Sequence, residues 1–123
     1  MEKILIADDM EAMRRSIKNN LKEIGYTDFC EATNGAEAID MYENEKPALV
    51  IMDITMPNMD GIEALSFIMS KYPNAAVIMT GGRGQEAYFI SAIRAGAKDF
   101  LVKPFAKDKI QKTVSAVLNS LQH

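Results

Sequence analysis

The chain has 123 residues, 48% hydrophobic and 25% charged, the balance of one globular domain that buries roughly two thirds of its unfolded surface unaided. A net charge of −3 argues against a general nucleic-acid binder, which needs Lys and Arg gathered on one face. No apolar run has the length of a membrane span or the pattern of a signal peptide, and Cys30 is the single cysteine, so a cytoplasmic domain with a packed, chemically quiet thiol is expected.

In chain order, short apolar runs alternate with segments of helical period. Residues 3–7 read as a strand, and Asp8-Asp9 with Glu11 supply helix-start carboxylates. Met13, Ile17, Leu21 and Ile24 then form one stripe of a helix that Gly25 ends. A second strand over 27–33 turns at Asn34-Gly35 into a helix over 36–44 with Ala38, Ile39 and Tyr42 inward, closed by Pro47. Leu49-Val50-Ile51-Met52 is apolar on both faces and predicts a central strand that stops at Asp53, before the turn signals Pro57 and Asp60-Gly61. A helix over 62–72 follows, with Leu65, Ile68, Met69 and Tyr72 on its apolar face. Next come a strand over 76–80, a glycine loop from Gly81 to Gly84, and a helix over 85–95 whose apolar residues are Ala87, Ile90 and those of 93–97. Residues 99–102 predict a fifth strand, ended by Lys103-Pro104. A last helix over 107–121 places Ile110, Val114, Val117, Leu118 and Leu121 on one face, with Lys107, Lys109 and Lys112 on a solvated one.

Strict alternation of five strands and five helices predicts an α/β, doubly wound, flavodoxin-like parallel sheet covered on both faces. The order 2-1-3-4-5 suits this length and sets the first and third strands side by side at the switch point, where ligands bind. Asp8, Asp9 and Asp53 then converge on one crevice. Three close carboxylates repel one another, and an oxygen-only set without nearby His or Cys favours Mg²⁺ as the remedy. His123, the one histidine, sits at the chain's end and is not expected to be a ligand. Lys103, ending the fifth strand, can reach the same edge. A metal and a lysine around a carboxylate make a place where a phosphoryl group can be attached to that carboxylate.

Asp8-Asp9, the run Met52-Asp53-Ile54-Thr55-Met56-Pro57 with Asp60-Gly61, the run Ala95-Gly96-Ala97-Lys98-Asp99-Phe100, and Lys103-Pro104-Phe105 together resemble the receiver domain of two-component response regulators. The resemblance covers nearly the whole chain, and single-domain chemotaxis regulators are the nearest in length. Such regulators are reference examples of the 2-1-3-4-5 order, so topology and resemblance are not independent. By position, the resemblance implies that Asp53 accepts a phosphoryl group from a histidine kinase or phosphotransfer protein. It implies Asp9 as a direct Mg²⁺ ligand, Asp8 as a ligand through water, and the Thr55 backbone carbonyl as a third protein ligand. Lys103 would pair with a phosphoryl oxygen, Lys103-Pro104 would be cis, and Phe100 would be the aromatic that swings between outward and inward rotamers.

One position departs from the family. Its pattern places a Ser or Thr twenty-two residues before the lysine, where this chain has Gly81; the neighbouring hydroxyl, Thr80, is one residue early and so on the opposite strand face. Either the switch hydroxyl is missing, or the strand end slips or bulges so that Thr80 serves. A small residue at 81 also leaves room for Phe100 to lie inward without phosphate. The expectation is a monomeric phosphoacceptor over residues 1–123, without an output domain, that binds neither nucleic acid nor membrane. It would catalyse its own phosphorylation and dephosphorylation and signal, in chemotaxis or a similar pathway, through a protein target on its 84–121 face. The alternative is a phosphate-independent protein-binding module on the same fold.

Overall fold

In the computed structural model, residues 2–121 are described; His123 lies outside them. Strands β1 (Lys3–Ala7), β2 (Asp28–Ala32), β3 (Leu49–Asp53), β4 (Val77–Gly82) and β5 (Asp99–Lys103) alternate with helices α1 (Glu11–Lys22), α2 (Gly35–Glu45), α3 (Gly61–Lys71), α4 (Ala87–Arg94) and α5 (Lys107–Ser120). All neighbouring strands pair in parallel, in the order β2-β1-β3-β4-β5. β3 is buried at every position, which is why it carries an unbroken apolar run rather than an alternating one.

Alternation along the strands splits the interior in two. Leu5, Val50, Met52, Val77, Met79 and Phe100 face α2, α3 and α4, packing with Ala38, Leu65, Ile68 and Ala92. Ile4, Ile6, Ile51, Ile78 and Leu101 face the other way, against Ile17 and Leu21 of α1 and Ile110, Val114 and Leu118 of α5. Cys30 is packed in the first of these layers, and burial pushes its thiol up to about 11, so it is inert as expected.

Local signals explain the helix starts. Asn34 caps α2, its side chain accepting the Glu37 N–H at 2.9 Å, while the Glu37 carboxylate returns to the Thr33 N–H at 2.8 Å. Asp60 caps α3 by accepting the Glu63 N–H at 2.8 Å. α1 begins later than its acidic residues suggest. Met10 is its N-cap position without a side-chain cap bond, so Asp8 and Asp9 precede the helix instead of capping it.

Two expectations need correction. β4 runs on through Gly81 and Gly82, which pair with Val102 and Lys103; only Gly84 of the glycine stretch takes a positive φ, 88°. Glycine permits a loop but does not forbid a strand when neighbouring backbones supply the ladder bonds. The second concerns α4, which is shorter than predicted and buries only Ala92 fully, with the Phe89 ring lying against Phe100 at 5.0 Å between centroids; Ala87, Ile90 and Ile93 are exposed. Apolar residues at helical spacing mark a face, and here that face lies outside, with Tyr88 and Ile90 more than half exposed at 52% and 59%. Lys107, Lys109 and Lys112 are exposed on α5, as predicted, and Leu121 is 43% exposed rather than packed.

Candidate functional site

Parallel pairing brings the carboxyl ends of β1, β3 and β5 to one edge of the sheet. Asp8 follows β1 directly and is almost wholly buried, Asp53 is the last residue of β3 and also buried, and Asp9 is exposed above them. Oxygens of the three carboxylates lie within 4.8 Å of one another. Lys103 closes the group: its Nζ donates to Asp8 Oδ2 at 2.8 Å and to Asp53 Oδ2 at 2.8 Å. The next peptide, Lys103-Pro104, is cis.

Backbone bonds hold these carboxylates in place. Asp53 Oδ1 accepts the Thr55 N–H at 3.2 Å, Asp8 Oδ1 accepts the Met10 N–H at 2.9 Å, and the Asp8 N–H is tied to the Ala32 carbonyl at 3.0 Å. The loop after β3 folds back tightly, the Gly61 N–H donating to the Ile54 carbonyl at 2.9 Å. A Cβ on Gly61 would stand 1.9 Å from the Asp53 carbonyl oxygen, so only glycine fits there.

The electrostatics follow from this packing. Burial pushes the Asp53 carboxyl above its ordinary value; bonds from Lys103 and the Thr55 N–H pull the other way, and Asp8 nearby adds to the rise. Burial would lower Lys103, but its bonds to Asp53 and Asp8 outweigh that and hold the ammonium charged above its ordinary range. One ammonium against three carboxylates leaves two negative charges in the cluster. A small oxygen-seeking dication fits that donor set and that charge.

The register of β4 is regular around position 81. β4 has no bulge: Thr80, Gly81 and Gly82 pair in sequence with Leu101, Val102 and Lys103. Thr80 is buried and, by alternation, on the face of Ile78 and Leu101, whereas Gly81 is on the face of Phe100. Phe100 lies inward at 4% exposure, and its Cζ is 2.7 Å from where a Cβ on Gly81 would stand. The ring fills the room that a side chain at 81 would take.

Two neighbours of the site had no motif to announce them. Arg14 donates through Nη1 to the Asp8 carbonyl at 2.7 Å and through Nε to Glu31 at 2.8 Å, bracing the loop that carries Asp8 and Asp9. The only signal was Arg14 and Lys18 four apart on α1, both of which meet Glu31. Gln85 donates from Nε2 to the Thr55 hydroxyl at 2.9 Å, a contact between residues thirty apart that no spacing rule suggests.

A five-stranded parallel sheet with three carboxylates and a lysine at its carboxyl edge defines the class of phosphoacceptor domains of two-component signalling. The response regulator receiver domain model matches residues 4–115, and the chain belongs to that family. It is 50% identical over 110 residues to the chemotaxis protein CheY of Listeria monocytogenes, covering 89% of this chain and 92% of that one. It is 47% identical to CheY of Bacillus subtilis, covering 95% and 98%. Among solved structures, the receiver domain of NtrX from Brucella abortus superposes with a TM-score of 0.89 at 30% identity, over 95% of this chain and 98% of that one. The REC domain of AraT, a response regulator from Geobacillus stearothermophilus, gives 0.90 at 29% identity, over 98% and 95%. Both the family and the strand order expected from the sequence are thus found. Among the described residues, no helix is long and apolar enough to cross a membrane.

Proposed function

We propose that Asp53 is the phosphoryl acceptor and that the chain works as a monomeric, cytoplasmic receiver in a chemotaxis-type pathway. The observation that carries this is Lys103 Nζ, 2.8 Å from both Asp53 and Asp8 across the sheet edge. An Asp53 oxygen attacks the phosphorus of a phosphohistidine on a histidine kinase or phosphotransfer protein. The P–N bond breaks as the P–O bond forms, and the imidazole leaves with its electron pair and takes up a proton. Lys103, already charged and aimed at Asp53, turns one of its three N–H donors to a phosphoryl oxygen. Asp9, Asp8, Asp53 and the Thr55 carbonyl would hold Mg²⁺, which, when bound, neutralises charge on the phosphoryl oxygens during transfer. Hydrolysis of the resulting acyl phosphate, promoted by the same groups, resets the protein.

The downstream protein would dock on the 84–121 face, where Tyr88, Ile90 and Ile93 stand exposed on α4. A second reading, a partner-binding module that needs no phosphate, is favoured by one observation: Phe100 is already buried over Gly81. Incubation with acetyl phosphate and Mg²⁺, followed by intact mass, separates them. The wild-type chain should gain one phosphoryl group and Asp53→Asn none; a wild-type chain that stays unmodified leaves the second reading.

A further inference from the structure

Position 81 offers no hydroxyl, and three groups crowd the space its Cβ would occupy: Phe100 Cζ at 2.7 Å, Ile54 Cδ1 at 3.0 Å and Gln85 Oε1 at 3.2 Å. Only the last is polar. The Gln85 carboxamide spans two segments, its Oε1 accepting the Gly82 N–H at 2.7 Å at the end of β4 while its Nε2 donates to Thr55 Oγ1 at 2.9 Å just past β3. Which end is which follows from chemistry, because the Gly82 N–H can only face an acceptor. The Thr55 backbone N–H donates to Asp53 Oδ1 at 3.2 Å, and the Gln85 backbone carbonyl accepts the Tyr88 N–H at 2.9 Å at the start of α4. One side chain therefore joins the residue beside Asp53 to the β4–α4 loop.

We propose that Gln85 is the positioning residue that passes the state of Asp53 to α4, in place of the hydroxyl absent at Gly81. This rests on Asp53 being the phosphoryl acceptor. A phosphoryl oxygen is a charged acceptor, and hydrogen bonds to charged acceptors are roughly twice as strong as neutral ones, so it outcompetes the Thr55 hydroxyl for Nε2. The amide is planar, so a swing of Nε2 carries Oε1, the Gly82 N–H bonded to it, and the first turn of α4. A cleft of about 150 Å³ lined by Ile54, Thr55, Asp60, Ile62, Gln85 and Tyr88 gives the side chain room to move. A staple that only closed the loop would need the Gly82 bond and no partner thirty residues away.

The test is the amide spectrum of ¹⁵N-labelled wild type, Gln85→Met and Gln85→Ala, each with Mg²⁺ and saturating beryllofluoride as the phosphoryl mimic. In the wild type, shifts should run from the Asp53 loop through Gly82 and Gly84 into α4. In both variants they should stop at the loops after β1 and β3. Because coupling is reciprocal, the mimic's Kd should rise about fivefold or more in both variants. Shifts in α4 that persist at wild-type size in either variant overturn the proposal and leave the acceptor reading standing. No mimic-induced shift in the wild type overturns both.

Discussion

Asp53 is held in a conflict of forces: the phosphoryl transfer proposed for it needs the ionised carboxylate, and burial resists that ionisation even with Lys103 attached. A group whose folded pKa is raised contributes stability that is present below its unfolded pKa, near 3.8, and lost as pH rises through the folded one. Asp53→Asn, which mimics the neutral acid, should therefore melt a few degrees above the wild type at pH 7 in metal-free buffer, on the order of 1 kcal/mol. The gap should close as both are brought below the unfolded pKa, and calorimetry across that range measures it; a variant that melts lower at pH 7 counts against the argument. Lys103 carries the same sign in a higher window: its stabilising share is fully present through neutral pH, up to its unfolded pKa near 10.5, and is lost as pH rises through the folded one.

At the scale of elements, the turn from β3 into α3 and the end of β4 are where backbone shape decides the site. A Cβ at Gly61 would lie 1.9 Å from a backbone oxygen of Asp53, and backbone cannot step aside as a side-chain tip can. Gly61→Ala should cost about 3 kcal/mol and weaken phosphorylation, read by denaturant melts and acetyl-phosphate labelling; a loss under about 1 kcal/mol would mean that the loop yields. Gly81→Thr meets a ring edge at 2.7 Å instead. It should push Phe100 outward in the resting protein at a cost of about 1–3 kcal/mol, and a structure of the variant with Phe100 still inward would refute this. In the same element, regular pairing through Gly82 keeps Thr80 on the strand face opposite Gly81.

At the scale of the molecule, the acidic cluster exists only because two distant segments, the ends of β1 and β3, come together, so it stabilises nothing in the unfolded chain and its carboxylates repel one another in the folded one. A cation that binds the folded state alone stabilises it by mass action, about 1.4 kcal/mol at ten times its Kd. Mg²⁺ should thus raise the melting temperature of the wild type by several degrees, and Asp9→Asn should lose most of that gain. Equal gains in both proteins would place the ion elsewhere.

Much of this was legible beforehand because it is written in local pattern. Unbroken apolar runs mark the buried strands, and strict alternation with helices restricts them to a parallel sheet whose carboxyl edge collects Asp8, Asp9, Asp53 and Lys103. Other features depend on what the chain meets after folding. That Gly81 and Gly82 extend β4, that α4 turns Ile90 and Ile93 outward, and that Gln85 joins Thr55 to Gly82 were settled by neighbours far away in sequence. Residue order along the chain dictated the periods and the ends of the elements, because these arise from backbone geometry within a few residues. The filling of the space above Gly81 by Phe100 and a carboxamide was left to tertiary packing, because such space is defined only once separate segments close around it.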